Sequence, residues 1–215
     1  MMNYSEVVQI YIFKQDDKQS VEERLNLAIV HYCHNCGFSL NCERIELKEK
    51  LQVARTDKGK PYFPKFPQIH FSISHSGAYW VCAVADEPLG VDLQEHTCLK
   101  GETPEEACVR LRKLAYRFFY LREAEFVERD VYNNFFVVWT AKESYVKYTG
   151  QGIDDDFAKQ YVIPEEMNLW TEFSLKNRVV WRCRNKWFSS ERYNDEYTLC
   201  ICTEKKRSVV IAECF

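Results

Sequence analysis

An α+β fold, sandwich-like and built as a pseudo-two-fold pair of similar subdomains, is what this sequence predicts, and three observations lead there. Short runs of apolar residues bounded by turn residues, such as Ile69–Ser74 and Ala78–Ala85, read as strands of a meander. Segments near 21–33, 104–128 and 140–148 repeat their apolar residues at helical spacing. Gly (7) and Pro (6) are scarce in the 215 residues and no linker divides them, so two halves, 1–89 and 90–215, must pack closely. Each half then holds helices and an antiparallel meander, with the active site expected between them.

The elements follow in order. Val7–Phe13 opens as a strand. Ser20-x-x-Glu23 is a capping signal for a helix from about Val21 to Cys33, in which Leu25, Ala28, Ile29 and Tyr32 share a face. Residues 53–68, broken by Thr56-Asp-Lys-Gly-Lys-Pro61 and Pro64-x-x-Pro67, read as irregular chain. A meander follows: Ile69–Ser74, a turn at His75-Ser-Gly77, Ala78–Ala85, a turn at Asp86–Gly90, and Val91–Leu93. In the second half a helical region runs from Pro104 to about Tyr120 and resumes through Glu128, and another helix covers about Thr140–Tyr148 and stops at Gly150. Strands close the chain near Val179–Arg184, Glu196–Thr203 and Ser208–Cys214, the last two joined by a charged turn at Glu204–Arg207.

Composition narrows the function. The 29 basic and 32 acidic residues leave a net charge of −3, which disfavours a general nucleic-acid binder. No apolar run spans a bilayer and the start lacks a signal-like pattern, so a soluble, cytoplasmic chain, expected as a monomer, is predicted. Ten cysteines are read mostly as buried reduced thiols. His31-Tyr-Cys-His-Asn-Cys36 with Cys42 is the one cluster suggesting zinc, and it lacks the second close pair such a site needs.

Two segments carry chemistry. Gly59-Lys-Pro, His70-Phe-Ser-Ile-Ser-His-Ser-Gly77 and Gly90-Val-Asp-Leu-Gln94 form the first, ending in an acid, Asp92, among apolar neighbours, where a carboxylate needs a partner. In the second, Trp139-Thr-Ala-Lys-Glu-Ser-Tyr-Val-Lys147, Glu143 and Lys147 fall one helical turn apart. Each piece also has a plain reading: Thr140-x-x-Glu143 as a capping box, Glu143–Lys147 as a surface ion pair, His75 as a turn residue and Lys60 as a solvated lysine. Together, loop cations and two separated acids suit anionic phosphate oxygens and a hard divalent cation. No Gly-rich phosphate loop is present.

The order of these motifs, over about Gly59–Gly150, resembles the Sfp-type 4′-phosphopantetheinyl transferases. The resemblance implies a pseudo-dimeric α/β architecture and transfer of phosphopantetheine from coenzyme A to a serine of an acyl or peptidyl carrier protein. It implies that Asp92 and Glu143 hold magnesium, that Lys147 contacts the donor phosphates and that Lys60, Ser74 and His75 contact coenzyme A. Glu123 is its best match for the general base, with Glu125 close by and a metal-activated hydroxide as the other possibility. Gln94 stands where the family frequently has an acid, and the basic amino-terminal grip on the nucleotide is not recognisable, only Lys14 and Lys18 being offered. A non-catalytic coenzyme A or carrier-binding module is the alternative. The segment Val109–Arg117, basic and apolar, is expected to dock the carrier or else to pack on the chain's own core.

Overall fold

Alternation along the strands sorts apolar side chains onto two faces, and that sorting builds the layers. In the computed structural model, residues 6–15, 18–36, 51–152, 157, 159–164 and 178–214 are described. The strands are β1 (Val7–Lys14), β2 (Ala54–Arg55), β3 (Pro61–Tyr62), β4 (His70–Ser76), β5 (Tyr79–Ala85), β6 (Leu89–Glu95), β7 (Arg178–Cys183), β8 (Lys186–Tyr193), β9 (Tyr197–Thr203) and β10 (Ser208–Glu213). The helices are α1 (Val21–Cys36), α2 (Pro104–Phe118), α3 (Leu121–Glu128) and α4 (Val131–Thr149). One sheet has the order β10-β1-β5-β4 and the other β6-β9-β8-β7, with β2 and β3 as a separate ribbon.

Tyr11, Phe13, Trp80 and Cys82 of the first sheet pack on Leu25, Ile29 and Tyr32 of α1. Its opposite face, Val8, Ile10, Ile12 and Val81, packs on Leu89, Val91, Leu93, Leu199 and Ile201 of the second sheet. The far face of the second sheet, with Trp181, Phe188, Cys200 and Cys202, packs on Ala115, Phe136, Val138 and Ala141 of α2 and α4. The result is an α/β/β/α stack, the α+β class the sequence predicts.

Several expectations need correction. Strand β4 runs through His75 and Ser76, which pair with Trp80 and Tyr79, so the turn begins at Gly77. Residues 53–68 contain the small β2–β3 hairpin. α1 continues to Cys36, placing Cys33 in the core and Cys36 beneath Gln9, whose Nε2 donates to its Sγ at 3.2 Å; Cys42 lies outside the described residues. α4 starts at Val131 behind an Asp130 cap, so Thr140 sits mid-helix with its hydroxyl on Phe136 O (2.8 Å), and the capping-box reading of Glu143 falls. Strand β8 goes beyond the expected elements; it is held by a two-residue turn, Arg184-Asn185, and a three-residue turn, Asn194-Asp195-Glu196, with Arg184, Asn185, Asn194 and Asp195 at positive φ, where Asn and Asp are tolerated. The charged turn near Arg207 does not return β10 to its own sheet. Arg207 pairs with Asp86 and Glu87, and β10 runs parallel to β1 in the first sheet.

Candidate active site

Three serines at alternate positions of β4 share one face, and that face meets the outer edge of β6. Ser72 Oγ accepts from the Val91 N–H (3.1 Å) and Ser76 Oγ from the Glu95 N–H (2.9 Å), satisfying donors that have no strand partner. Between them, Ser74 Oγ donates to Asp92 Oδ1 (2.8 Å). Lys147 Nζ donates to both Ser74 Oγ (2.8 Å) and Asp92 Oδ1 (2.7 Å), closing a triangle across β4, β6 and α4. α4 comes this close because β6 carries Gly90: a Cβ there would lie 1.9 Å from Ser144 O.

The other oxygen of Asp92, Oδ2, is buried with no partner. Burial pushes the Asp92 carboxyl up, against the pull of the Lys147 ammonium. Glu143, one turn before Lys147, is pushed up to about 7 by burial and then by the Asp92 charge, with Lys147 opposing. The Asp92 charge thus reaches Glu143, and a cation held by both carboxylates would oppose that repulsion.

Beside this triangle lies a cavity of about 230 Å³ lined by Lys58, Lys60, Ile73 and Lys147 among others. Lys60 does not present its ammonium to it freely. Nζ donates to Tyr148 O (2.5 Å) and Leu89 O (3.4 Å), and its stem rests on Gly150, the left-handed cap of α4 (φ 70°). Burial lowers its pKa. His75 is exposed on the β4 face opposite the serines, the face of cavity-lining Ile73. Gln94 shares the Asp92 face of β6, two residues on, and borders an apolar cavity of about 190 Å³ with Leu111, Leu114 and Trp139.

Glu123 has a different environment from that expected of a general base. It is fully buried in an ion pair with Lys142 (2.9 Å) and accepts from the N–H groups of Val162 (2.6 Å), Ile163 (3.3 Å) and Tyr120 (3.2 Å). Lys142 donates in turn to Phe157 O (3.3 Å) and Gln160 O (2.5 Å). The pair stitches α3, α4 and the segment after α4 together. Its partners come from far along the chain, so local spacing gave no signal of it.

A family model described as the 4′-phosphopantetheinyl transferase superfamily matches residues 88–202, and one described as 4′-phosphopantetheinyl transferase, N-terminal, matches residues 2–87. The chain belongs to the 4′-phosphopantetheinyl transferase superfamily. It is 30% identical over 110 residues to 4′-phosphopantetheinyl transferase Sfp of Bacillus subtilis (strain 168), covering 49% of this chain and 44% of that protein. Against 4′-phosphopantetheinyl transferase gsp of Aneurinibacillus migulanus it is 35% identical over 109 residues, 49% of this chain and 40% of that protein. Against the L-aminoadipate-semialdehyde dehydrogenase-phosphopantetheinyl transferase of Homo sapiens it is 26% identical over 151 residues, 66% and 46% of the two chains. The matches thus span less than half the length of these relatives.

Within this superfamily member, the unpartnered Asp92 Oδ2 beside Glu143 suits a magnesium ion, which takes one or two protein carboxylates and fills its other positions with water and phosphate oxygens. Among the described residues no group of three or more His, Cys, Asp or Glu side chains could hold a metal, so the acids at this site number two.

Proposed function

We propose that the chain transfers 4′-phosphopantetheine from coenzyme A to a serine of an acyl or peptidyl carrier protein, with magnesium, releasing adenosine 3′,5′-bisphosphate. The observation that carries this reading is the triangle of Ser74, Asp92 and Lys147 with Glu143 beside it and one Asp92 oxygen left free. The names of the relatives support it.

In this reading the carrier hydroxyl attacks the phosphorus next to pantetheine, the new P–O bond forms, the bond to the bisphosphate oxygen breaks, and the hydroxyl proton is given up to solvent water. Magnesium, when bound, supplies positive charge to the pyrophosphate oxygens. Asp92 and Glu143 would hold it, and Gln94, two residues from Asp92 on the same face of β6, would offer a neutral amide oxygen. The Lys147 ammonium, 2.7 Å from Asp92 Oδ1 and 2.8 Å from Ser74 Oγ, would also face the donor phosphates, where charge builds in the transition state. Ser74 orients Asp92. Lys60 holds the Gly59-Lys-Pro loop on the end of α4, and His75, on the same face of β4 as Ile73, would contact the donor. Glu123 acts through Lys142 to fix α4, and a base role for it would require that buried pair to open. The carrier docks on α2, where Val109 and Tyr116 are exposed beside Lys113 and Arg117.

The test is to incubate the protein with coenzyme A, magnesium and an apo carrier protein and to weigh the carrier. A mass gain of one phosphopantetheine, abolished by chelator and by Asp92→Ala, is expected. Coenzyme A binding without any mass gain would instead mark a binding module and overturn the catalytic reading.

A further inference from the structure

Two turns meet at one end of the second sheet, Arg184-Asn185 after β7 and Glu204–Arg207 after β9. They lie side by side, because β8 pairs with both β7 and β9, Lys186 reaches Glu204 at 3.5 Å, and Lys206 stands over the Trp187 ring, 5.5 Å from its centroid. In residues 182–187 and 204–207 the cations Arg182, Arg184, Lys186, Lys205, Lys206 and Arg207 stand against one acid, Glu204, in a chain whose net charge is −3. Lys186 is taken by Glu204, Arg207 by Asp86 and Glu87, and Lys205 sits beside Glu87. Arg182, Arg184 and Lys206 are exposed and, among the described residues, have no carboxylate partner.

These three cations are nevertheless held in place. The Arg184 guanidinium lies over the rings of Tyr145 (5.3 Å) and Tyr161 (5.5 Å), Lys206 over Trp187, and Arg182 Nη2 donates to Asn185 Oδ1 at 3.2 Å. Arg184 is also at φ 50°, where glycine is favoured and a long side chain is strained, so a cation stands at this turn at a cost to the backbone. Charges that are positioned and not neutralised lose little freedom when they meet an anion. We propose that this end of the second sheet docks an acidic segment of a partner protein through Arg182, Arg184 and Lys206, apart from the carrier contact on α2. Other polyanionic surfaces fit it less well. A nucleic-acid strand stacks its bases on open rings, whereas here the Trp187 ring carries Lys206 and the Tyr148 ring carries Lys60 and Lys186. A membrane surface takes up apolar side chains, and none of the exposed large apolar side chains among the described residues lies in either turn.

The test is fluorescence anisotropy of a fluorescein-labelled polyglutamate peptide titrated with the full chain. Wild-type protein should bind it, and less tightly as sodium chloride is raised. Arg182→Glu, Arg184→Glu and Lys206→Glu combined should weaken binding by about tenfold or more, while Lys113→Glu with Arg117→Glu on α2 should leave it nearly unchanged. Arg184→Gly probes the turn by itself: freed of strain at positive φ, it should melt at a higher temperature than wild type and yet bind the peptide about threefold more weakly, whereas Arg184→Lys should keep most of the affinity. No binding by wild type, full affinity in the triple variant or in Arg184→Gly, or equal weakening by the α2 pair would overturn the assignment. Tighter binding of a polythymidylate strand or of phosphatidylserine vesicles than of the peptide, lost in the same triple variant, would overturn the choice of a protein partner.

Discussion

Glu143 stands between two demands, an apolar setting that favours its neutral form and a neighbour, Asp92, that does the same. Its folded value of about 7 lies above the ordinary 4.5, so between those values the folded protein holds the extra proton and stability falls as pH rises through the window. Without a cation, the ionised side chain costs about 1–2 kcal/mol at pH 8 after allowance for its partial exposure. Glu143→Gln should therefore melt higher than wild type at pH 8 in chelator and show no such advantage at pH 4.5. Magnesium should raise the melting temperature of wild type and leave the variant nearly unmoved. An advantage of equal size at both pH values would remove the titration of Glu143 as its cause. At this scale the sequence reveals much of the site, because Asp92 follows its motif on a strand and Glu143 and Lys147 lie one turn apart on a helix. It does not reveal that Lys60 spends its charge on carbonyls of Leu89 and Tyr148, or that Glu123 is sealed against Lys142, since those partners are set by tertiary packing.

Among the elements, α4 shows why sequence periodicity can fail. Phe135, Phe136, Val137 and Val138 are all buried, because the helix is covered by the second sheet on one side and by α2 and α3 on the other. An all-round apolar run has no amphipathic signal, and the helix is visible only where Lys142, Glu143 and Lys147 break it. α2 is the opposite case. Its box at Thr103 and Glu106, with Pro104 behind the cap, and its two-sided pattern are legible, while its outward side leaves Val109 and Tyr116 exposed beside Lys113 and Arg117. Arg112, which the sequence also nominates for docking, is paired with Glu128 at 2.8 Å, so reversing it would place two carboxylates together and confuse the result. Lys113→Glu combined with Arg117→Glu should raise the KM for an acidic carrier by about tenfold and spare that for coenzyme A, because surface charge acts mainly on encounter. Unchanged carrier kinetics would remove α2 from the docking surface.

Over the whole molecule, the two halves are joined by more than a boundary. Val8, Ile10, Ile12 and Val81 of the first sheet are fully buried against the second. β10, from the carboxyl-terminal stretch, completes the first sheet beside β1. The sequence could not show this crossover, because an edge strand with the pattern of β10 reads alike in either sheet and the turn before it looks like a hairpin. A fragment of residues 1–89 would expose that apolar face and leave the outer edge of β1 unpaired. Four such side chains at about 1.5–3 kcal/mol each represent a loss on the order of the ~5–15 kcal/mol that stabilises a whole domain. The full chain should therefore unfold in urea as one transition, with tryptophan fluorescence and far-ultraviolet dichroism coinciding. The 1–89 fragment, whose one tryptophan is Trp80, should show no cooperative transition. A chain ending at residue 207 tests the crossover separately, since it keeps both halves and loses only the strand beside β1. It should unfold at lower urea than the full chain, with Trp80 still moving together with the tryptophans of the second half. A sigmoidal transition in the 1–89 fragment would show that the first sheet is stable without the shared core, and the two halves would then be independent units held together at the active site.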